Sequence, residues 1–375
     1  MIFSTLKSNL MNQLSLINPI LPSHSAKPIT ECIILVLKDN ELTITATDIS
    51  VTLVNNIEVN GIENGTVVVH GKKFINIIKS LPDIVLTVKK ENGMVKIISN
   101  NIKFELAVTE DYDDFPTTPK NLSGNNLIID SLKLKNYIEK TVFTVSPDQL
   151  RAVLTGVLFS LKLNQITMVA TDSVRLVKLE DKNVRYEGED TEMILPSKSL
   201  QIVSNAIDRN EECLIYFEEN YVEFRFGTVV IFSRLINGKY PAYQAIIPAN
   251  NHLKAKFDKQ TAISALTRVS LACNPVTKLI KYNLESGQLL INTEDSNSSS
   301  KAEESIPLDY SGEKMLIGFN SSKIIELLKN IDTEMILMEI NSGKKPVIIK
   351  PFESTESYDL MMLLMPSSVD NSGNN

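Results

Sequence analysis

The chain has 375 residues, of which 43% are hydrophobic and 22% charged, with a net charge of −7 and a pI near 5.3. That length asks for two or three domains, and the composition excludes a disordered chain. The acidic balance excludes a protein that is basic all over, as generic nucleic-acid binders are, and leaves room only for basic residues gathered on one face.

In chain order, an amphipathic helix is predicted over 6–16, followed by the strand-like run N-E-L-T-I-T-A-T-D at 40–48. A second run at 66–69 leads through Gly71-Lys72-Lys73 into the helical pattern Phe74, Ile77, Ile78. Strands at 86–89 and 95–98 flank a turn at Asn92-Gly93. The acidic group Glu110, Asp111, Asp113 and Asp114 reads as a solvated loop, and 117–126 as a polar linker. The pattern then begins again. A helix over 132–142, with Ser131 at its cap position, precedes N-Q-I-T-M-V-A-T-D at 164–172. The run 193–195 leads through Pro196-Ser197-Lys198, with Ser197 as cap, into Leu200, Ile202 and Val203. After a second linker at 248–251, a helix over 261–269 capped by Asp258 precedes G-Q-L-L-I-N-T-E-D at 287–295. The run 315–317 leads through Asn320, a further cap, into Ile324, Ile325, Leu327 and Leu328, and the Ser/Asn/Gly-rich tail 367–375 reads as disordered.

The second nine-residue run starts 124 residues after the first, and the third 123 after the second. Nearly equal offsets divide the chain into thirds, 1–123, 124–248 and 249–375, each of normal domain size. Each third should hold two helices and about eight strands, parsed as two βαβββ halves, which makes the fold class α+β.

The residues offer little to catalysis. His24, His70 and His252 stand in no zinc-binding pattern, and no phosphate loop, dinucleotide fingerprint or nucleophile elbow is present. The pairs Thr47-Asp48 and Thr171-Asp172 end equivalent strands and read as side-chain-stabilised turns rather than catalytic carboxylates. Cys32, Cys213 and Cys273 are far apart, as expected of reduced thiols. No metal, no cofactor and no enzymatic activity are expected. The absence of a signal-like N-terminus and of a long apolar run points to a cytoplasmic protein with no membrane partner. Basic residues gather on the predicted helices and adjoining turns: Lys7, Lys72, Lys73, Lys79, Lys133, Lys135, Lys140, Lys198, Arg209, Lys254, Lys256, Lys259, Arg268, Lys323 and Lys329. Acidic pairs such as Glu211-Glu212 and Glu303-Glu304 fall in strands and turns. Scattered lysines suit sequence-blind contact with phosphates.

Four segments carry a resemblance that spans Met1 to Pro366. They are R-A-V-L-T-G-V-L-F at 151–159, V-A-T-D-S-V-R-L at 169–176, G-K-Y-P-A-Y at 238–243 ending in Ile247-Pro248, and L-M-P at 364–366. In this order and spacing the chain resembles the beta subunit of bacterial DNA polymerase III, the beta sliding clamp family. The resemblance implies three clamp domains per chain and a head-to-tail homodimer, a six-domain ring with helices lining the hole and sheets outside. Such a ring is a processivity factor for DNA replication. It encircles duplex DNA without reading its sequence and tethers the polymerase III catalytic subunit, the clamp loader and other proteins bearing a short Gln-Leu-x-Leu-Phe-type motif.

The resemblance also implies sites. A peptide-binding groove would be lined by Leu154, Thr171, Val174, Arg175, Leu176, Pro241, Ile246, Pro346, Leu363, Met365 and Pro366. DNA-facing residues would be His24, Lys27, Lys72, Lys73, Lys79, Lys198 and Arg209, with His24 where the family often has Arg. The dimer interface would set Phe74, Ile78, Phe104 and Leu106 against Leu271 and Ala272 of a second copy. Val174 stands where the family often has His or Tyr, Ala245 where Arg is common, and nine residues follow Pro366 where the family usually stops within a few. Those departures motivate one alternative, a divergent clamp paralogue for repair or a mobile element. A β-rich enzyme of repeated domains is the alternative from another class.

Overall fold

The computed structural model describes residues 1–109, 115–116, 122, 126–353 and 356–369. The acidic group at 110–114, most of the first linker and the tail from 370 on lie outside the described residues. The first third runs β1 (Ile2–Leu6), α1 (Lys7–Ile17), β2 (Cys32–Lys38), β3 (Glu41–Thr47), β4 (Val51–Glu58), β5 (Asn60–Glu63), β6 (Gly65–His70), α2 (Gly71–Ser80), β7 (Val85–Glu91), β8 (Met94–Ser99) and β9 (Ile102–Ala107). The second runs β10 (Asn126–Asp130), α3 (Ser131–Val142), β11 (Gly156–Lys162), β12 (Gln165–Thr171), β13 (Arg175–Asp181), β14 (Thr191–Pro196), α4 (Ser197–Ala206), β15 (Glu212–Phe217), β16 (Tyr221–Phe226) and β17 (Val229–Arg234). The third runs β18 (Leu253–Asp258), α5 (Lys259–Ser270), β19 (Leu279–Glu285), β20 (Gly287–Asp295), β21 (Ser300–Tyr310), β22 (Met315–Asn320), α6 (Ser321–Lys329), β23 (Met335–Ile340), β24 (Val347–Pro351) and β25 (Asp359–Leu364). Among the described residues each third is βαβββ taken twice, with the short β5 as an added strand and short helical turns in the connections.

The helices form where apolar residues recur at helical spacing behind a cap. In α2, Phe74, Ile75 and Ile78 are buried while Lys73, Asn76 and Lys79 face out. Asp258 caps α5 by accepting the Thr261 N–H at 2.7 Å, and Asn320 caps α6 by accepting that of Lys323 at 3.1 Å. Two expected caps move. Asp130, not Ser131, accepts the Lys133 N–H at 2.9 Å, while the buried Ser131 hydroxyl donates to the Arg209 carbonyl at 2.8 Å. Ser197 lies inside α4, where the cap position is Pro196 and no side chain bonds the first turn.

The chain packs as two units. The first comprises Met1–Ile138, Arg185–Glu189 and Leu195–Ile236; the second comprises Glu139–Val184, Asp190–Ile194 and the chain from Asn237 on. The first unit holds a five-stranded sheet, β5-β1-β7-β8-β9, and an eight-stranded sheet, β10-β15-β16-β17-β4-β3-β2-β6. In the latter, β17 continues the sheet onto β4 with Ile231 opposite Leu53. The first linker is pinned at Leu122, whose N–H donates to the buried Glu223 carboxylate at 2.6 Å and whose carbonyl accepts from Arg225 at 3.0 Å. The second unit holds the twelve-stranded sheet β14-β11-β12-β13-β25-β24-β23-β18-β21-β20-β19-β22, save the end of β14. There β13 meets β25 with Leu176 opposite Leu363. No helix among the described residues is long and apolar enough to cross a membrane. The three cysteines form no disulfide, and burial pushes the Cys213 thiol up to about 12, which leaves it inert at neutral pH.

Candidate peptide groove, DNA-facing residues and strand edges

All of the expected groove residues lie in the second unit, and pairing brings most of them together. Leu176 stands opposite Leu363 and Arg175 opposite Leu364, while Leu364 also faces Val347, the residue after Pro346. The Met365 N–H donates to the Val174 carbonyl at 2.8 Å. The helical turn Gln149–Thr155, which carries Leu154, meets the segment carrying Pro241 where Val153 closes on Gly238. Roles within the set separate by burial. Leu154, Thr171, Leu176 and Leu363 are buried and form a floor. Val174 and Met365, each 37% exposed, Ile246, 45% exposed, and the exposed Pro241 leave apolar surface uncovered. Exposed apolar side chains above a buried floor are what a slot for one or two anchor side chains would need.

Beneath it lies a charged network that the sequence did not reveal. Arg175 is only 7% exposed. Its guanidinium donates to Asp172 at 3.2 Å, to Glu326 at 2.5 Å and to the Phe143 carbonyl at 3.2 Å, and stands 5.5 Å from the Phe143 ring. Asp172 also receives Lys323 of α6 and the N–H groups of Val174 and Arg175. With its guanidinium already engaged by Asp172, Glu326 and the Phe143 carbonyl, Arg175 belongs with the buried members of the set and braces them.

The Thr-Asp pairs are turn devices, as their repetition suggested. Thr171 bonds the Arg175 carbonyl and Asp172 the next amides; Thr47 and Asp48 do the same around Val51. Asp48 is joined by Lys198 of α4 as Asp172 is by Lys323 of α6. Burial pushes both carboxyls up, but the lysine and the turn hydrogen bonds outweigh it, and both end below the usual aspartate range.

The expected DNA-facing residues belong to the first unit. His24, Lys27, Lys73 and Lys79 are exposed, and Lys72 bonds the Ser23 hydroxyl at 2.8 Å, close to the His24 loop. Lys198 is paired with Asp48 and Arg209 lies 3.5 Å from Glu211, so both are partly neutralised, against expectation. Other helix lysines are structural. Lys135 donates to the Ile207 carbonyl at 2.9 Å and Lys259 to that of Ile331 at 2.8 Å. Both neutralise carbonyls just past a helix C-terminus, at positions 124 apart, so the repeat itself was the missed signal. Lys140 is buried against Asp332 at 2.6 Å.

Among the open strand edges of the described residues are those of β9 and β21. β9 ends the five-stranded sheet, with Phe104 and Leu106 half-buried. β21 pairs with β20 along its length but with β18 only through Asp309 and Tyr310, so one side of 300–308 is unbonded. Leu271, at the end of α5, is 86% exposed, with Ala272 half-buried beside it. Phe74 and Ile78 are fully buried in α2 and present no surface to a second copy, which removes them from the expected contact set.

Family models of the DNA polymerase III beta subunit match the N-terminal domain at residues 1–119, the central domain at 128–242 and the C-terminal domain at 244–366. A beta sliding clamp from Staphylococcus aureus is 33% identical over 329 residues, 84% of this chain and 86% of that one. The chain belongs to the beta sliding clamp family. A beta sliding clamp from Chlamydia muridarum is 25% identical over 362 residues, covering 96% of this chain and 97% of that one. The fold matches the crystal structure of a Pseudomonas aeruginosa DnaN sliding clamp bound to griselimycin, with a TM-score of 0.93 at 24% identity over 98% of this chain and all of that one. A Bacillus subtilis sliding clamp matches with a TM-score of 0.92 at 24% identity, covering 98% of this chain and 99% of that one. Beta sliding clamps are non-catalytic processivity factors of DNA replication that form dimeric rings around DNA and bind polymerase. The chain is accordingly a DNA sliding clamp and not an enzyme, and neither the enzyme nor the paralogue reading is favoured.

Proposed function

We propose that two copies of this chain, each of three domains divided near 123/124 and 248/249, close head to tail into a ring that slides on duplex DNA and tethers its clients through the slot around Val174, Ile246 and Met365. The observation that carries this reading is the pair of open strand edges. An unbonded row of backbone N–H and C=O groups is a liability that a partner strand removes. β9 alternates half-buried Ile102, Phe104 and Leu106 with exposed Lys103 and Glu105, and fits antiparallel against the free side of a second copy's β21. Exposed Leu271 lies in the same unit as that edge and supplies an apolar anchor for the junction. His24, Lys27, Lys73 and Lys79 are the residues proposed to meet phosphates, weakly and without sequence preference, as sliding requires. The clients are a polymerase III catalytic subunit, a clamp loader and other proteins carrying the short apolar motif. Light scattering at micromolar concentration tests the assembly. The expected mass is twice 41.8 kDa, and a strict monomer refutes it.

A further inference from the structure

β22 forms one margin of the twelve-stranded sheet and bonds β19 on a single side. Its other side is covered by two segments that also carry expected groove residues, Met365 and Pro366 in one and Pro346 in the other. The Ser367 N–H donates to the Gly318 carbonyl at 2.8 Å in an antiparallel bridge. Leu316 lies two residues from Gly318, so its carbonyl emerges on the same side of the strand. There Gly343 comes so close to the Leu316 oxygen that a Cβ would collide with it. Neither glycine has a left-handed φ, so what each supplies is space rather than backbone freedom. A Cβ on Gly318 would stand 2.6 Å from Val369 Cγ2 and 2.7 Å from the Ser367 oxygen.

Both segments are also tied at their groove ends. Met365 is held by its 2.8 Å bond to Val174, two residues before Ser367 reaches Gly318. The Pro346 carbonyl accepts from the Asn251 amide at 3.0 Å, three residues after Gly343 meets Leu316. Met365 and Pro366 are thus a strap fixed at both ends, and Pro346 closes a turn fixed at both ends. We infer that the outer margin of β22 is the template that sets both rims of the peptide groove, with Gly318 and Gly343 as positioning residues for client binding. The inference rests on the groove reading proposed above. It also directs 367–369 along β22 rather than into the slot, so this stretch fixes the rim and does not compete with the client.

The test uses the full-length dimer and a fluorescein-labelled Gln-Leu-Ser-Leu-Phe peptide, read by anisotropy, with hydrogen exchange followed at the Ser367 amide. Gly318→Ala should expose that amide to exchange and weaken the peptide about tenfold, the loss of one anchor contact. Ser367→Pro removes the bridging N–H without touching β22 and should weaken the peptide in the same way. Dimer mass should not change in either. In a chain truncated after Pro366, the two nearest atoms that Gly318 accommodates are gone and only the flexible end of Leu279, at 3.0 Å, remains, so Gly318→Ala should add little to the effect of truncation. Wild-type affinity in both Gly318→Ala, with its Ser367 amide exposed or not, and Ser367→Pro overturns the inference. An equal loss from Gly318→Ala in the truncated chain also overturns it, because the cause would then be damage to the sheet. A peptide that fails to bind the wild-type dimer refutes the groove reading itself, and this inference with it.

Discussion

Replacing Arg175 by alanine is the sharpest probe of the network under the groove. Arg175 bonds Asp172, Glu326 and the Phe143 carbonyl from a site that is 7% exposed. Asp172 keeps Lys323 and two backbone N–H groups after the change, so it is not orphaned. Glu326 is nearly half exposed, so its ion pair is screened and contributes little of the loss. The loss then rests on the part-buried Phe143 carbonyl, at most about 1–3 kcal/mol for an acceptor left without its donor, and on the part-buried bond to Asp172, at most about 1.5–3 kcal/mol for a charged hydrogen bond. About 3 kcal/mol in all agrees with the low end for breaking a buried pair. For a unit of this size that lowers the thermal midpoint by about 6–12 °C. Arg175→Lys keeps the charge but not the planar fork that reaches three acceptors, and should recover less than half. Urea unfolding with unchanged m-value, alongside peptide titration, is the assay. A variant within about 0.5 kcal/mol of wild type, the spread of ordinary surface changes, but with peptide affinity lost, would refute the argument, because Arg175 would then serve the ligand and not the fold.

The lowered carboxyls of Asp48 and Asp172 make stability depend on pH. A folded-state pKa below the unfolded value contributes stability that is complete above the unfolded pKa, about 4, and is lost as pH falls through the folded value. Urea midpoints should therefore fall steeply below about pH 4, less so in Asp172→Asn; an equal slope in that variant would contradict the assignment. Leu271→Asp should shift the protein to monomer, because a buried unpaired carboxylate costs several kcal/mol at the junction; an unchanged mass in light scattering would remove Leu271 from the interface. Met365→Ala should weaken the Gln-Leu-Ser-Leu-Phe peptide by about 1–2 kcal/mol with stability kept, whereas Leu176→Ala should lower stability by about 2–5 kcal/mol, because it empties a buried floor position. Equal stability of the two variants in urea would refute the division into floor and rim. Neutralising Lys73 and Lys79 should lower loading onto DNA more than neutralising Lys198, whose charge is already met by Asp48; the reverse order in a loading assay would refute that ranking.

Much of the architecture was legible because the chain states it three times. The runs at 40–48, 164–172 and 287–295 became β3, β12 and β20, and the helical patterns behind them became α2, α4 and α6. Caps were legible at Asn320 and Asp258, and not at α3, where Ser131 beside the true cap Asp130 drew the reading although its hydroxyl has a buried partner. Burial was the harder part. Phe74, Ile78 and Leu176 are apolar residues in motif positions, but only packing decides that they face inward while Leu271 faces out. The destination of Lys135, Lys140 and Lys198 was equally hidden, because a lysine's partner lies far away in sequence: the carbonyl of Ile207, Asp332 and Asp48.

The central claim is that the protein is held on DNA by topology rather than by affinity. An open-groove binder that neutralises six to ten phosphates loses about 10³ to 10⁵ in affinity between about 50 and 200 mM salt. A closed ring on a closed circle has no such exit. The decisive measurement is the lifetime of the loaded protein on nicked circular DNA at about 200 mM salt, before and after a single cut that makes the circle linear. The account predicts long retention on the circle and prompt release from the linear product. Retention after linearisation, or stripping from the intact circle by salt while the dimer stays closed, would contradict it.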